Sequence, residues 1–285
     1  MVDNMYIMNL ARLYKESYNC INTLNSEGLE KENYNLNIYR GLKLWITYFF
    51  ISFGAINMQA QSSFLDKQMT YTRVKEAFTL KKEVLIKEFE EKNIIWPPSN
   101  IYLRSFKAEL ALELWIEEEG KFKLFKTYEV CQGSGNLGPK IVEGDRQVPE
   151  GLYLIDRFNP VSAFWLSLGI NYPNEVDVLR SINKLPGGDI FIHGDCVSSG
   201  CLPMTNDIMN EIYIIAVLAR NQGQVNIPVH IYPYRFSVIN NNLYNYNGSN
   251  NELWSKLEAH YIYFNKNKKL QAYYISSSGN YMFLN

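Results

Sequence analysis

The chain of 285 residues is long enough for one large domain or two small ones. Its formal net charge of −1, from 28 basic and 29 acidic side chains, argues against a nucleic-acid partner, which would call for a basic face. A hydrophobic content of 47% with 14% aromatic residues is ample for a packed core.

Residues 1–37 are mixed and polar. They precede the uncharged run LWITYFFISFGAINM at 44–58, which has Arg40 and Lys43 before it and Ala60 just before Gln61. A basic flank, a short apolar segment and a small residue before a polar start form the layout of a secretory signal peptide. The run is shorter than the roughly 20 residues of a spanning helix. No charge follows until Asp66, so an uncleaved membrane anchor at 44–60 stays open. The long polar lead suggests that translation starts later than Met1, near Leu36 or Leu42.

Residues 67–92 carry charges with apolar residues at helical spacing and predict one amphipathic helix, ended by WPPSN at 96–100. Strands are expected at 101–106, 110–116 and 122–131, and another begins in PEGLYLIDRF at 149–158. SGNLGPK at 134–140 is a glycine-rich loop with no phosphate-binding lysine pattern after it. A helix at 174–183 and a strand at 189–193 follow. The next helix, 204–219, has Thr205 as its candidate cap and Asp207 in its first turn. IPVHIYPYRF at 227–236 reads as a strand whose prolines put it near a sheet edge. A helix at 251–263 and short strands at 270–275 and 280–284 complete the chain. The expected fold class is mixed α/β and β-rich, a sandwich or mixed sheet with peripheral helices and an N-terminal helical extension. The expected division is a lead with signal peptide or anchor at 1–60, the helical extension at 61–100, and a catalytic domain at 101–285.

The stretch IFIHGDCVSSGCLPM at 190–204 carries the chemistry. It sets His193-Gly194 before Ser198-Ser199-Gly200-Cys201, a pattern suited to a thiol nucleophile with a histidine base. The glycines permit tight turns and let a substrate carbonyl approach main-chain N–H donors. Two other readings remain open at this point. His193, Asp195, Cys196 and Cys201 are all possible zinc ligands, although CxxxxC is not a usual zinc spacing. Cys196 and Cys201 could also pair as a disulfide in an exported protein. Cys196 competes with Cys201 for the nucleophile role but lacks the preceding glycine. Cys131 is expected to be buried and inert, and His230 and His260 to be structural. Asp195 is placed to raise the pKa of His193, or is simply a loop residue.

His193-Gly194 followed by Ser198-x-Gly200-Cys201 resembles the signature of the L,D-transpeptidase (YkuD-type) catalytic domain, and the short spacer resembles its YafK-like branch. Segments 106–115, 134–153, 158–177 and 227–236 match that branch in order. The resemblance implies Cys201 as nucleophile, His193 as base and Gly194 orienting the imidazole through its carbonyl. It also implies Gly200 and Cys201 N–H groups at the oxyanion, with Ser198 and Ser199 lining the pocket or serving as turn residues. It implies no cofactor and no metal, peptidoglycan stem peptides as partner, and export to the periplasm or cell envelope. One departure is Pro203, where many members carry a substrate-binding arginine. Arg146, Arg157, Arg180 and Arg235 are alternatives by type alone, so the substrate-binding residue is unassigned. The implied reaction is transpeptidation of tetrapeptide stems through an acyl-enzyme. An amidase or L,D-endopeptidase releasing peptide or protein from peptidoglycan, and a catalytically silent wall-binding module, are the alternatives. A thiolate acyl acceptor also implies acylation by carbapenem-type β-lactams.

Overall fold

A computed structural model describes residues 63–244 and 251–284; the expected signal peptide or anchor lies outside the described residues. Among these residues no helix is long and apolar enough to cross a membrane.

Helix α1 (Phe64–Gln68) starts at Ser63, whose hydroxyl accepts the Asp66 N–H while the Asp66 carboxylate accepts the Ser63 N–H. Helix α2 is Thr72–Glu91. The single helix expected at 67–92 is therefore two. The Thr70 hydroxyl turns back onto the Lys67 carbonyl, and Tyr71 is extended.

Eight strands follow in one sheet: β1 (Ile101–Phe106), β2 (Ala111–Glu118), β3 (Lys121–Glu129), β4 (Gly151–Asn159), β5 (Ser167–Ile170), β6 (Phe191–His193), β7 (Leu202–Pro203) and β8 (Ile227–Tyr232). Their order is β3-β2-β1-β8-β4-β5-β6-β7. The β1–β8 and β6–β7 pairs are parallel and the others antiparallel. Helices α3 (Glu175–Arg180), α4 (Asn206–Asn221), α5 (Val238–Leu243) and α6 (Asn251–Asn267) intervene, and β9 (Tyr273–Ile275) pairs with β10 (Tyr281–Phe283) in a separate ribbon.

Alternation along the strands places buried side chains on both faces of the sheet. Ile101 and Leu103 of β1, with Val229 and Ile231 of β8, share the main core with α2 and α4. Every residue of α4 from Met209 to Ala219 is buried. Its apolar surface continues round the helix, so it needs cover on several sides. Helix α2 shares that core through Val74, Ala77, Phe78, Leu85 and Phe89. On the opposite face, Phe106 and Tyr232 pack with Leu253, Trp254 and Leu257 of α6.

Strand β8 corrects the edge expectation: it lies between β1 and β4, in the interior of the sheet. Pro228 is tolerated because pairing with β1 begins only at Val229. Before that point the Gln224 side-chain amide takes the place of a strand, accepting the Ile101 N–H at 2.8 Å and donating to the Ile101 carbonyl at 2.8 Å. Pro233 comes after the strand has ended.

Candidate active site

Strand β6 delivers His193 to the end of the sheet. Ile192 points into the main core, and His193 pairs in register with Ser167 of β5 and Pro203 of β7. The next residue must be glycine. A Cβ on Gly194 would overlap Asn206 Oδ1 and lie 2.8 Å from Trp165 Cβ. The Gly194 N–H is fixed to the Leu166 carbonyl at 3.1 Å, and its own carbonyl accepts from His193 Nδ1 at 2.5 Å. A carbonyl can only accept, so Nδ1 carries the proton and Nε2 presents a lone pair.

The turn from Asp195 to Pro203 then brings Cys201 back beside β6. Asp195 is in the left-handed region at φ 58°, with its N–H on Asn206 Oδ1 at 2.8 Å. The Ser198 hydroxyl donates to the Cys201 carbonyl at 2.8 Å and accepts the Cys201 N–H at 3.1 Å. Gly200 has φ 110°, and a Cβ there would press on the Gln147 carbonyl at 3.1 Å. Cys201 is half-buried, its Sγ 3.8 Å from the Asp189 carbonyl oxygen. His193 and Cys201 line one cavity of about 420 Å³ together with Ser167, Phe164, Phe191 and Asp189.

Electrostatics favour a neutral pair at rest. Burial pushes the Cys201 thiol up and the nearby Asp189 charge adds to this, against a hydrogen bond from the Phe191 backbone. Burial also lowers the His193 pKa; the Gly194 bond and the Asp195 charge oppose that shift without cancelling it. Asp195 therefore acts in the expected direction, but desolvation wins.

The cysteines differ from expectation. Cys131 and Cys196 form a disulfide, and Cys201 is the free cysteine among the described residues. Cys131 is thus not an inert thiol, Cys196 is not paired with Cys201, and the zinc alternative loses one of its thiolates. The two partners are 65 residues apart, and only the fold brings the end of β3 against the turn. Ser198 organises that turn and Ser199 is exposed; neither serine, nor Gly200, is among the residues lining the cavity. His230 and His260 lie together inside the protein, ring centroids 4.8 Å apart, and neither lines this cavity.

Three contributors were not singled out from the sequence. Phe164 lies against the His193 ring at 4.7 Å between centroids. Asn206 holds the Asp195 N–H. Arg73 of α2 donates to the Ser162 and Trp165 carbonyls at 2.5 and 2.7 Å, pinning the loop that carries Phe164. Of the four arginines considered by type, Arg157 reaches Asp189 at 2.9 Å and stacks over Phe191, both at the cavity. Arg180 is bound to Asn280 and Glu252, Arg235 pairs with Glu113, and Arg146 is exposed.

Comparison with known proteins identifies the family. The L,D-transpeptidase catalytic domain (YkuD) model matches residues 112–231, from β2 through β8 and across both His193 and Cys201. YafK of Escherichia coli (strain K12), a presumptive L,D-transpeptidase by its name, is 35% identical over 173 residues, 60% of this chain and 69% of that protein. The same identity and coverage hold for YafK of Escherichia coli O157:H7. Among solved structures, the helical cell shape determining protein Pgp2 of Campylobacter jejuni matches with a TM-score of 0.38 and 21% identity over 48% of this chain. Bd1075 of Bdellovibrio bacteriovorus gives a TM-score of 0.35 and 20% identity over 48% of this chain. The chain spans about half the length of those two structures (49% and 48%), and at that similarity they carry no argument about the site. The match to YafK and the domain match across the site together place the chain in the L,D-transpeptidase family.

Proposed function

We propose that this chain is an exported, cysteine-dependent L,D-transpeptidase acting on tetrapeptide stems of peptidoglycan. One observation carries the reading: His193 and Cys201 line the same cavity, with the imidazole locked by Gly194 so that Nε2 is the basic nitrogen. Nε2 takes the thiol proton as Cys201 attacks the carbonyl of the third stem residue. The imidazolium returns that proton to the departing D-alanine amine, leaving a thioester. Nε2 then takes a proton from the side-chain amine of a second stem as that amine attacks. Collapse breaks the C–S bond, forms the cross-link and restores the thiol.

The oxyanion needs a backbone donor. The Cys201 N–H is occupied by Ser198, whereas the Gly200 N–H donates no hydrogen bond among the described residues. On this reading Gly200, the residue before the nucleophile, is the candidate donor, with Ser198 shaping the turn. The partner follows from the chemistry: stem peptides of peptidoglycan in the cell envelope, with no cofactor taking part.

The test is product mass analysis after incubation with peptidoglycan fragments and protein-loaded sacculi, beside a Cys201→Ala control. Dimers joined through third residues, formed with loss of D-alanine, support the reading. Released protein or trimmed stems without dimers replace it with an amidase on the same pair. No Cys201-dependent product leaves a wall-binding module.

A further inference from the structure

Cys131 holds both ends of the turn that carries Cys201. Its sulfur is bonded to Cys196, and its backbone N–H donates to the Pro203 carbonyl at 2.9 Å. The residue lies just beyond β3, whose ladder with β2 runs to the Glu129–Ala111 pair, and Val130 continues it by donating to the Leu110 carbonyl. A residue anchored to the extended β2–β3 pair thus closes the segment 196–203 into a ring, with Cys201 inside it. The second end of that ring also sets the register with the histidine. Leu202 and Pro203 pair in parallel with Ile192 and His193, and the Met204 N–H donates to the His193 carbonyl at 2.7 Å. Inside the ring, the Ser198 hydroxyl bridges the backbone N–H and carbonyl of Cys201 itself.

We infer that Cys131 and Cys196 are positioning residues for the acyl-transfer chemistry: their disulfide, acting with the Cys131 N–H, fixes the Cys201 turn against β6 so that the thiol meets His193. This rests on the function proposed above, but the clamp has its own readout. Without the disulfide the near end of the turn keeps only the Asp195 N–H on Asn206, and the stretch from Cys196 loses its tie to the β2–β3 pair, since Cys196 is exposed and its neighbour Val197 bonds back only to Asp195. The Cys201 thiol then samples positions away from the imidazole, and the base no longer assists its ionisation. The clamp also removes Cys196 as a competing thiol five residues from Cys201.

The experiment compares the full chain with its Cys131→Ser/Cys196→Ser double variant and with His193→Ala. The rate of Cys201 alkylation by iodoacetamide is followed from pH 5 to 9 by peptide mass mapping, beside kcat and KM on tetrapeptide stems. The double variant is expected to lose the His193-dependent part of the alkylation profile and to approach the His193→Ala curve. Its kcat should fall about tenfold or more with little change in KM. Unaltered protein reduced with a phosphine, then desalted, should behave in the same way, and reoxidation with oxidised glutathione should restore it. That second arm decides the matter even where the double variant fails to fold. A reduced protein, folded by circular dichroism, that keeps the parent alkylation profile overturns the clamp whatever the turnover. So does a parent profile identical to that of His193→Ala. An altered alkylation profile in a protein with no turnover on any stem keeps the clamp and removes the transpeptidase reading.

Discussion

The Nδ1–H of His193 donates to the carbonyl oxygen of Gly194 at 2.5 Å, so the imidazole is oriented by its own neighbour in the chain and not by a carboxylate. A carboxylate partner would strongly favour imidazolium; a carbonyl favours it only weakly, and burial here depresses the His193 pKa. Burial raises that of Cys201. In the proposed reaction the competent state is thus neutral imidazole beside neutral thiol, and both shifts widen the pH range in which it exists. The kcat/KM profile should be flat across neutrality. Its acidic limb should lie below the ordinary histidine value of about 6.5, and its alkaline limb above the ordinary thiol value of about 8.5. Turnover already falling by half at pH 7 on the acid side would contradict this order of charges.

Gly194→Ala tests the same neighbour sterically. The added methyl has no room between Asn206 Oδ1 and Trp165 Cβ, and the Phe164 carbonyl stands 3.0 Å away. The backbone must shift, carrying the carbonyl that holds Nδ1. Overpacking of this kind costs about 1–3 kcal/mol of stability. The activity loss should be larger, about 100-fold, because a displacement near 1 Å is enough for that. Thermal unfolding and turnover measured together separate the two effects. A variant with lowered stability and full turnover would show that the carbonyl does not orient the ring.

How far these features could be read from residue order depends on how local their causes are. The turn at 193–201 was legible because Gly200, at φ 110°, and Ser198, bonded to Cys201, answer to backbone demands within the turn, whereas the reason for Gly194, its contacts with Asn206 and Trp165, was not. The start of α4 was legible for the same reason: the Thr205 hydroxyl accepts the Ile208 N–H at 3.2 Å. The Cys131–Cys196 bond was not, because its partners meet only after β3 has been folded against β7. The place of β8 inside the sheet was masked by Pro228, whose missing donor is harmless only because Gln224 covers Ile101. Arg73 and Phe164 left no signal, since one bonds carbonyls 89 and 92 residues away and the other is an exposed aromatic in a loop.

The buried histidines opposite the main core set an acid limit on stability. His260 is pushed down to about 4 by burial and then by the nearby Arg104 charge, while a backbone hydrogen bond at Gln271 opposes this. His230 is held well below its ordinary value by burial, by His260 and by Arg104. Both are neutral when folded and bind protons more readily when unfolded. Their contribution is complete above about pH 6.5 and is lost as pH falls toward the folded values. Each pH unit in that window removes about 1.4 kcal/mol per histidine, so His260 alone accounts for about 3 kcal/mol by pH 4. Chemical denaturation from pH 7 to 4 should show this slope, and His260→Gln should reduce it by about one proton. An unchanged slope in that variant would place the acid sensitivity elsewhere.

Arg73 links helix α2 to the cavity from outside the segment matched by the family model. Its Nη1 satisfies the Ser162 and Trp165 carbonyls, and its guanidinium lies 5.4 Å from the centre of the Trp165 ring. Trp165 needs that support, being a bulky residue at φ 67°, where a non-glycine backbone is strained. Its indole N–H is fixed separately to Asn210 Oδ1 at 2.7 Å, so the loop is tied to α4 as well as to α2. Removing the arginine should loosen the backbone while leaving the indole in place. The residue that then moves is Phe164, which carries the ring packed on His193. Arg73→Ala should cost about 2 kcal/mol, the scale of charge-assisted hydrogen bonds at a half-buried site. It should also raise the apparent pKa of His193, because losing the Phe164 ring admits water to the imidazole and weakens the burial that holds it down. The acidic limb of kcat/KM would then move up toward the ordinary histidine value. Arg73→Lys, with one ammonium for two carbonyls, should fall between the two. A stability loss with an unmoved acidic limb would confine Arg73 to holding the loop, with no influence on the histidine.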